Sequence, residues 1–449
     1  MIGSRVRQLA TVGAAVGLSA GLVLTGLSVG TASASGVPGL TSSSITIGAT
    51  VPLTGIASPG YNEVAKAARA VFLYVNKKHV AGLRQINYIL KDDCYGTPGS
   101  GCTGVPNTST QTNALLSTPG GLFATVGSLG TPTQDSVRAL LKSHGTPQLF
   151  VNSGSKDWNN PSTYPGLFGF QQSYEVESKI LAKYMKTAYA GKKICFLGQS
   201  DDFGTDGYQG LTEGGITPAN GFATYNVALL AIQGAKYFTP LIRNLQTASC
   251  KVVFLDTIPG ATAAALGNAK ALGFSPQWVI SSVGSDPITV NKALKGKGSE
   301  VNAVSFAEFP ASTDTAANAK LWKTWIVKVL TADKADFPGF TAAKLDGNMV
   351  YGASFGVAFV EALKAAGANF TQASFVHLLE TTTFNQTPSL VPLQYTSSNH
   401  QGLNGGYIDK VKSASSTAVV NPTVYVTNSG VGAVTTAPSK SSGMPSWLK

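Results

Sequence analysis

Residues 124–155, ATVGSLGTPTQDSVRALLKSHGTPQLFVNSGS, constrain the fold more than any other stretch of the chain. They spell strand, loop, helix, strand and loop without a break. Phe123 to Val126 is a short apolar run ending at Gly127, which suits a buried parallel strand. Thr131, Pro132 and Gln134 mark a helix start: threonine caps, proline loses no needed N–H, and glutamine three residues on closes a capping box. Val137, Leu140 and Leu141 follow at helical spacing, Gly145 and Pro147 end the helix, and Gln148 to Val151 is the next strand. In a parallel βαβ unit both loops lie beyond the carboxyl ends of adjacent strands, the edge where open α/β sheets bind ligands. Gly130 and Thr131 at a helix start, beside Ser153, Gly154 and Ser155, offer N–H groups, hydroxyls and a positive dipole end to a small anionic or carbonyl group. The plainer role for Thr131 is helix capping, and one hydroxyl can serve both.

The same order surrounds this unit. Ile45 to Val51 and Ile86 to Lys91 read as strands, with helices near 62–78 and 107–117, so the first part is βαβαβαβ. The order then restarts. Leu167 to Phe170 reads as a short strand or crossing segment, followed by a helix at 174–189. Strands at 193–197, 222–227, 251–256 and 277–281 alternate with helices at 236–246 and 261–272. These form a second α/β region, after which come a strand at 301–306 and helices at 316–330, 342–366 and 372–380. Short strands with turns run through Val426, and 427–449 reads as a Gly/Ser/Thr/Pro-rich mobile tail. With 449 residues, two or three core-bearing units are expected.

Arg5 and Arg7, the apolar run from Leu9 to Gly30, and Ala32-Ser33-Ala34 form an export leader over 1–34, cleaved after Ala34 or retained as an anchor. No cysteine near that site permits lipid attachment, and no later stretch reads as long and apolar enough to cross a membrane. Location outside the cytoplasm, in a periplasm or at a cell surface, follows, and it makes disulfides possible. Cys94 and Cys102 bracket a Gly/Pro loop and form the favoured pair, with Cys195 and Cys250 the second. The formal charge of +11 is spread without Lys/Arg runs, which argues against nucleic acid as a partner. Four separated histidines and no C-x-x-C give no metal site, and no cofactor is expected.

Two motifs invite other readings. Gly99 to Gly104 matches the dinucleotide fingerprint, but Val105-Pro106 stands where the helix must already run. Gly352-Ala353-Ser354-Phe355-Gly356 matches the nucleophile elbow, yet lies within a helical pattern, where small residues allow close helix packing. A secreted hydrolase using Ser354 is one alternative function, and a ligand-sensing module for a signalling partner is another.

The phrases ITIGATVPLTG, YILKDD, VGSLGTPTQDSV, PQLFVNSGS, DDFGTDGYQ and KYFTPLIRNLQ…KVVFLD, in this order, resemble the type I periplasmic solute-binding proteins. The likeness is to the leucine/isoleucine/valine-binding-protein-like receptors of ABC importers, and it spans Ile45 to Val411. The resemblance implies an α/β fold of two Rossmann-like lobes, each a parallel sheet with helices on both faces. Three crossings join them, near Leu167, Ser282 and Val391. Lobe 1 is expected at 35–166 plus 283–389, and lobe 2 at 167–282 plus 390–426. It implies a monomer that holds an amino acid, amide or other small carboxylate in the interlobe cleft and delivers it to an ABC permease. By this likeness Thr131, Ser153 and Ser155 grip the ligand's carboxylate, and Phe203, in an exposed loop, lines the opposite wall. Trp158 and Tyr61 lie in loops near the same edge. The chain departs from amino-acid-binding members at Ser282, where an acid holds the ammonium, with Asp286 the nearest acid. It departs again at Ile258, where a tyrosine is common. Asp346 stands at a cleft position usually apolar, either restoring the ammonium site or serving as a helix N-terminal charge.

Overall fold

The computed structural model describes residues 36–80, 82–96, 102–218, 221–428, 431–438 and 443–448. The leader at 1–34 and the fingerprint-like glycines Gly99 and Gly101 lie outside them.

Two sheets organise the chain. The first contains β1 (Ser44–Val51), β2 (Gln85–Asp92), β3 (Ala124–Val126), β4 (Gln148–Val151) and β5 (Leu167–Gly169), in the order β2-β1-β3-β4-β5 and all parallel. The parallel part of the second contains β6 (Ile194–Gln199), β7 (Phe222–Tyr225), β8 (Val252–Asp256), β9 (Gln277–Ile280) and β10 (Val304–Ala307). A two-residue ladder joins β11 (Thr383–Phe384) to β12 (Leu393–Gln394). The strands β13 (Gly405–Ser413), β14 (Ser416–Asn428) and β15 (Val431–Ala437) then extend the second sheet antiparallel beyond β10. That sheet is therefore mixed, where the sequence reading expects parallel strands only.

The helices are α1 (Ser58–Lys78), α2 (Thr108–Leu116), α3 (Thr131–Ser143), α4 (Tyr174–Ala188), α5 (Asp202–Glu213), α6 (Val227–Gln233), α7 (Phe238–Thr247), α8 (Pro259–Ala271), α9 (Pro287–Leu294), α10 (Ala317–Ala332), α11 (Gly347–Ala366) and α12 (Gln372–Thr381). The β3 and β8 strands are buried along their whole length, which explains their mostly apolar sequences.

Although α11, with Ser354 at its centre, follows β10 in the chain, it packs on α1 of the first lobe. A β-carbon on Gly352 would lie 2.0 Å from the Val64 carbonyl, and one on Gly356 3.1 Å from Ala68. The elbow motif is thus a helix-packing device, and Ser354 spends its hydroxyl on the Val350 carbonyl at 2.7 Å. By length and composition α11 could also cross a membrane, contrary to the reading of the sequence. Its burial identifies it as a core helix.

The first two crossings fall later than the expected lobe bounds. Leu167 belongs to β5 of the first sheet, and Val304–Ala307, placed in lobe 1 by the sequence reading, pairs with β9 in the second. The chain changes lobes after Gly169, after Ala307 and before Gly405. These passages are laced together: Leu403 donates its N–H to the Phe170 carbonyl at 2.9 Å, and the Tyr395 hydroxyl donates to the Gly169 carbonyl at 2.6 Å. The end of the chain is not simply a tail either. Within it β15 pairs with β14, and the Trp447 indole donates to Glu361 of α11 at 2.7 Å.

Both expected disulfides form, Cys94–Cys102 and Cys195–Cys250, with Cα atoms 6.0 and 5.8 Å apart.

Candidate functional site

A cavity of about 230 Å³ lies where the carboxyl ends of the two sets of parallel strands meet. Tyr61, Tyr95, Gly130, Asn152 and Gln171 follow β1 to β5, and Phe203, Ile258, Ser282 and Glu308 follow β6, β8, β9 and β10. This is the edge at which open α/β sheets receive ligands, presented twice.

Local sequence explains the placement. Pro59 and Gly60 break the start of α1, with Gly60 at φ 80°, and direct Tyr61 to the cavity. Gly130, at φ 115°, is the N-cap of α3, a conformation that favours glycine. The helix begins one residue earlier than expected, so Thr131 is its first residue rather than its cap. The expected capping box does not form, because Gln134 instead donates to Thr50 Oγ1 of β1 at 3.1 Å. Asp201 caps α5, so Phe203 is a buried residue of its first turn rather than part of an exposed loop.

Of the residues singled out in the sequence, Tyr61, Gly130, Phe203, Ile258, Ser282 and Asp346 line the cavity, whereas Thr131, Ser153, Ser155 and Trp158 do not. The Thr131 and Ser153 hydroxyls lie 2.7 Å apart, and the Tyr174 hydroxyl lies 3.4 Å from the first and 3.3 Å from the second. Tyr174 thus fills the position expected to hold a carboxylate. Gly154 lets the ring lie there, since its β-carbon would come within 2.8 Å of Tyr174 Cδ1. Ser155 is spent capping the turn at Lys156–Trp158. That turn folds the Trp158 indole into a small core with Val151 and Leu167, away from the cavity.

At Ser282 no acid faces the cavity; Glu177 lies behind it, outside the lining. The Ser282 N–H and hydroxyl both donate to the buried Glu177 carboxylate, at 2.5 and 2.8 Å. Burial pushes Glu177 up to about 7, against the lowering effect of the Ser282 and Gln172 hydrogen bonds. Asp346 accepts from the Met349 N–H at 2.8 Å, and Asp286 accepts from the Thr289 and Gly347 N–H groups at 2.7 and 2.8 Å. Both therefore cap helices beside the cavity. Burial, then the neighbouring Asp286 charge, raises Asp346 well above the usual carboxylate range.

Among the described residues Lys323 is the only cation lining the cavity, against the carboxyls of Asp286, Glu308, Asp314, Asp346 and Asp409. Uncharged polar groups at the cleft include the phenols of Tyr61, Tyr95, Tyr174 and Tyr351, and the amides of Asn152, Gln171 and Asn348. The Asn152 Oδ1 is buried without a partner, while its amide nitrogen donates to the Gly127 carbonyl at 2.8 Å.

The sequence reading does not name Tyr95, Asn152, Gln171, Tyr174, Tyr351 or Glu308 as ligand contacts. Position alone could have found four of them, since Tyr95, Asn152, Gln171 and Glu308 each stand within three residues of a parallel strand's carboxyl end.

Fold and site together define a two-lobed receptor with its cavity at the seam. Residues 44–416 match the profile of the periplasmic binding proteins, and the chain belongs to that family, whose members act outside the cytoplasm. No curated protein sequence matches it. Among solved structures it is similar to a fatty acid ABC transporter substrate-binding protein from Thermomonospora curvata, with 14% identity, TM-score 0.69, and coverage of 88% of this chain and 95% of that one. A branched chain amino acid ABC transporter protein from Thermus thermophilus with bound valine shares 16% identity at TM-score 0.68, covering 87% and 98%. A possible leucine/isoleucine/valine-binding protein from Rhodopirellula baltica SH 1 shares 17% at TM-score 0.65, covering 85% and 97%.

Proposed function

We propose that the protein captures a small organic solute between its lobes and presents it to an ABC permease in the membrane. The observation that carries this reading is the cavity built from both lobes at the strand ends, Tyr61 and Gly130 on one side and Phe203 and Ile258 on the other. Its aromatic walls suit an apolar body, and closure strengthens each polar contact by excluding water.

The charge pattern narrows the polar end. With Tyr174 in the Thr131–Ser153 pocket, and with one lysine among carboxyls that burial shifts towards the protonated form, an uncharged or ammonium-bearing group fits better than a lone carboxylate. An amino acid remains within this class, its ammonium facing Asp286 and Asp346. A ligand that binds the folded state raises the thermal midpoint with concentration. A panel of amino acids, amides, amines, aromatic acids and polyols is therefore expected to give at least one saturable shift. A panel without any shift contradicts the reading.

A further inference from the structure

Positive charge that is dispersed along the sequence is collected by the fold on one face of the first lobe. The α1 helix carries Lys66, Arg69, Lys77 and Lys78 against Glu63, and α10 carries Lys320, Lys323 and Lys328 with no acid. Seven cations less one acid leave these two helices a net +6 of the chain's +11. The helices lie side by side and run in opposite directions. The Tyr74 ring of α1 meets the Trp325 ring of α10 at 5.7 Å, while Arg69 pairs with Asp336 beyond the end of α10. Lys77 and Lys78 therefore stand beside the start of α10, next to Lys320 and Leu321. The Lys78 and Lys328 ammoniums lie 5.4 and 5.8 Å from the centre of one ring, that of Tyr74. Like charges held so close repel, and an anion brought to this face relieves the repulsion. Two large apolar side chains break the basic surface, Leu73 at 48% exposure and Leu321 at 40%. Leu73 is one turn before Lys77, and Leu321 one turn before Trp325.

We propose that the α1–α10 face is a docking surface for an anionic lipid bilayer. Its exposed lysines, Lys77, Lys78, Lys320 and Lys328, meet the phosphate headgroups, and its two leucines enter the interface. Charge complementarity selects an anionic partner. The leucines select a bilayer over a soluble polyanion, because they gain only where an apolar layer lies under the charged one. Lysine suits that arrangement, since its stem lies along apolar surface while the ammonium stays among the headgroups. Such docking holds the chain at a membrane without a covalent anchor, and it is independent of what the cleft binds.

The test is co-sedimentation of the full chain with vesicles of phosphatidylcholine alone and of phosphatidylcholine mixed equally with phosphatidylglycerol. The apolar run at 9–30 is present in every sample, so the difference between the two vesicle types reads the face. Binding to the anionic vesicles is expected to be the stronger and to collapse at about 0.5 M salt, where screening acts within a few ångströms. Lys320→Glu with Lys328→Glu is expected to cut it about twentyfold or more, at about fivefold per lysine. Lys77→Glu with Lys78→Glu repeats the test from α1 should the first pair fold poorly, with the melting curve as the check on folding. Lys236→Glu with Lys251→Glu makes the same change in net charge from exposed positions on the second lobe, and should bind like the parent. Leu73→Ser with Leu321→Ser is expected to weaken binding about tenfold. No preference for anionic vesicles, or an equal loss from the second-lobe pair, overturns the proposal. A leucine variant that binds like the parent also overturns it and assigns the face to an acidic protein or polymer.

Discussion

The Tyr174 hydroxyl lies 3.3 Å from Ser153 Oγ, so a side chain from α4 of the second lobe occupies the hydroxyl pocket of the first. The α4 helix is anchored on the second sheet by Val176, Ile180 and Leu181. Tyr174 also meets Phe203, ring centres 4.4 Å apart, which makes the two rings one wall of the cavity. Removing the phenol frees two hydroxyls beside the first turn of α3. Tyr174→Ala is therefore expected to gain affinity for small carboxylates about tenfold, the worth of roughly one new hydrogen bond to a charged group. Titration with a short alkanoate and its amide reads this directly. Unchanged carboxylate affinity means that the pocket is closed by more than Tyr174.

A second relationship spans the lobes. The Lys156 backbone N–H donates to Asp206 Oδ2 at 3.0 Å, and its ammonium meets Asp206 and Glu175 at 3.3 and 3.0 Å. Lys156 follows β4 of the first lobe, while Asp206 stands on α5 of the second. Lys156→Ala removes only the exposed ammonium and is expected to weaken ligand binding about threefold, in keeping with the modest worth of an exposed pair. Asp206→Asn also weakens the acceptor for the Lys156 backbone N–H, and its loss is expected to be larger. Small-angle scattering should show a larger radius for unliganded Asp206→Asn than for the parent.

The pH dependence of stability follows from Glu177. Its folded carboxyl titrates at about 7 against an ordinary value of 4.5, so between these the folded state holds a proton that the unfolded state has lost. Stability from this group is accordingly lost as pH rises through that window, by roughly 3 kcal/mol in all. Asp409, also raised by burial to about 7, acts in the same direction. The melting temperature is expected to fall between about pH 5 and pH 8. Glu177→Gln should make the fall shallower, and parallel curves for variant and parent would assign it to other groups.

Close helix packing gives a stability test. Gly352→Val would drive a side chain into the Val64 backbone and is expected to cost about 3 kcal/mol. Gly443→Ala, where a β-carbon meets nothing within 4 Å, is the matched control and should be nearly neutral. Denaturant midpoints compare the two.

Most of the architecture was legible because its cause is local. Apolar runs such as Val252–Leu255 end in short loops that lead into the next helix, here at Pro259, and that pattern is readable without tertiary structure. The crossings were harder to see, since nothing in the short β5 sequence says which sheet it joins. The site was partly legible for the same reason. Tyr61, Gly130 and Phe203 follow strand ends, which sequence order reveals. That Tyr174 fills the Thr131–Ser153 pocket depends on the approach of α4 across Gly154, a long-range fact. The fate of Ser282 likewise depends on Glu177, more than a hundred residues away.

The most direct test is solute binding by Tyr61→Ala and Phe203→Ala, one change on each lobe, using whichever solute shifts the parent. Both are expected to lose affinity about tenfold or more, since truncating a buried aromatic contact removes about 2 kcal/mol or more of binding. Their unliganded melting curves should stay cooperative. Parent-like affinity in both variants would contradict a binding site at the seam between the lobes.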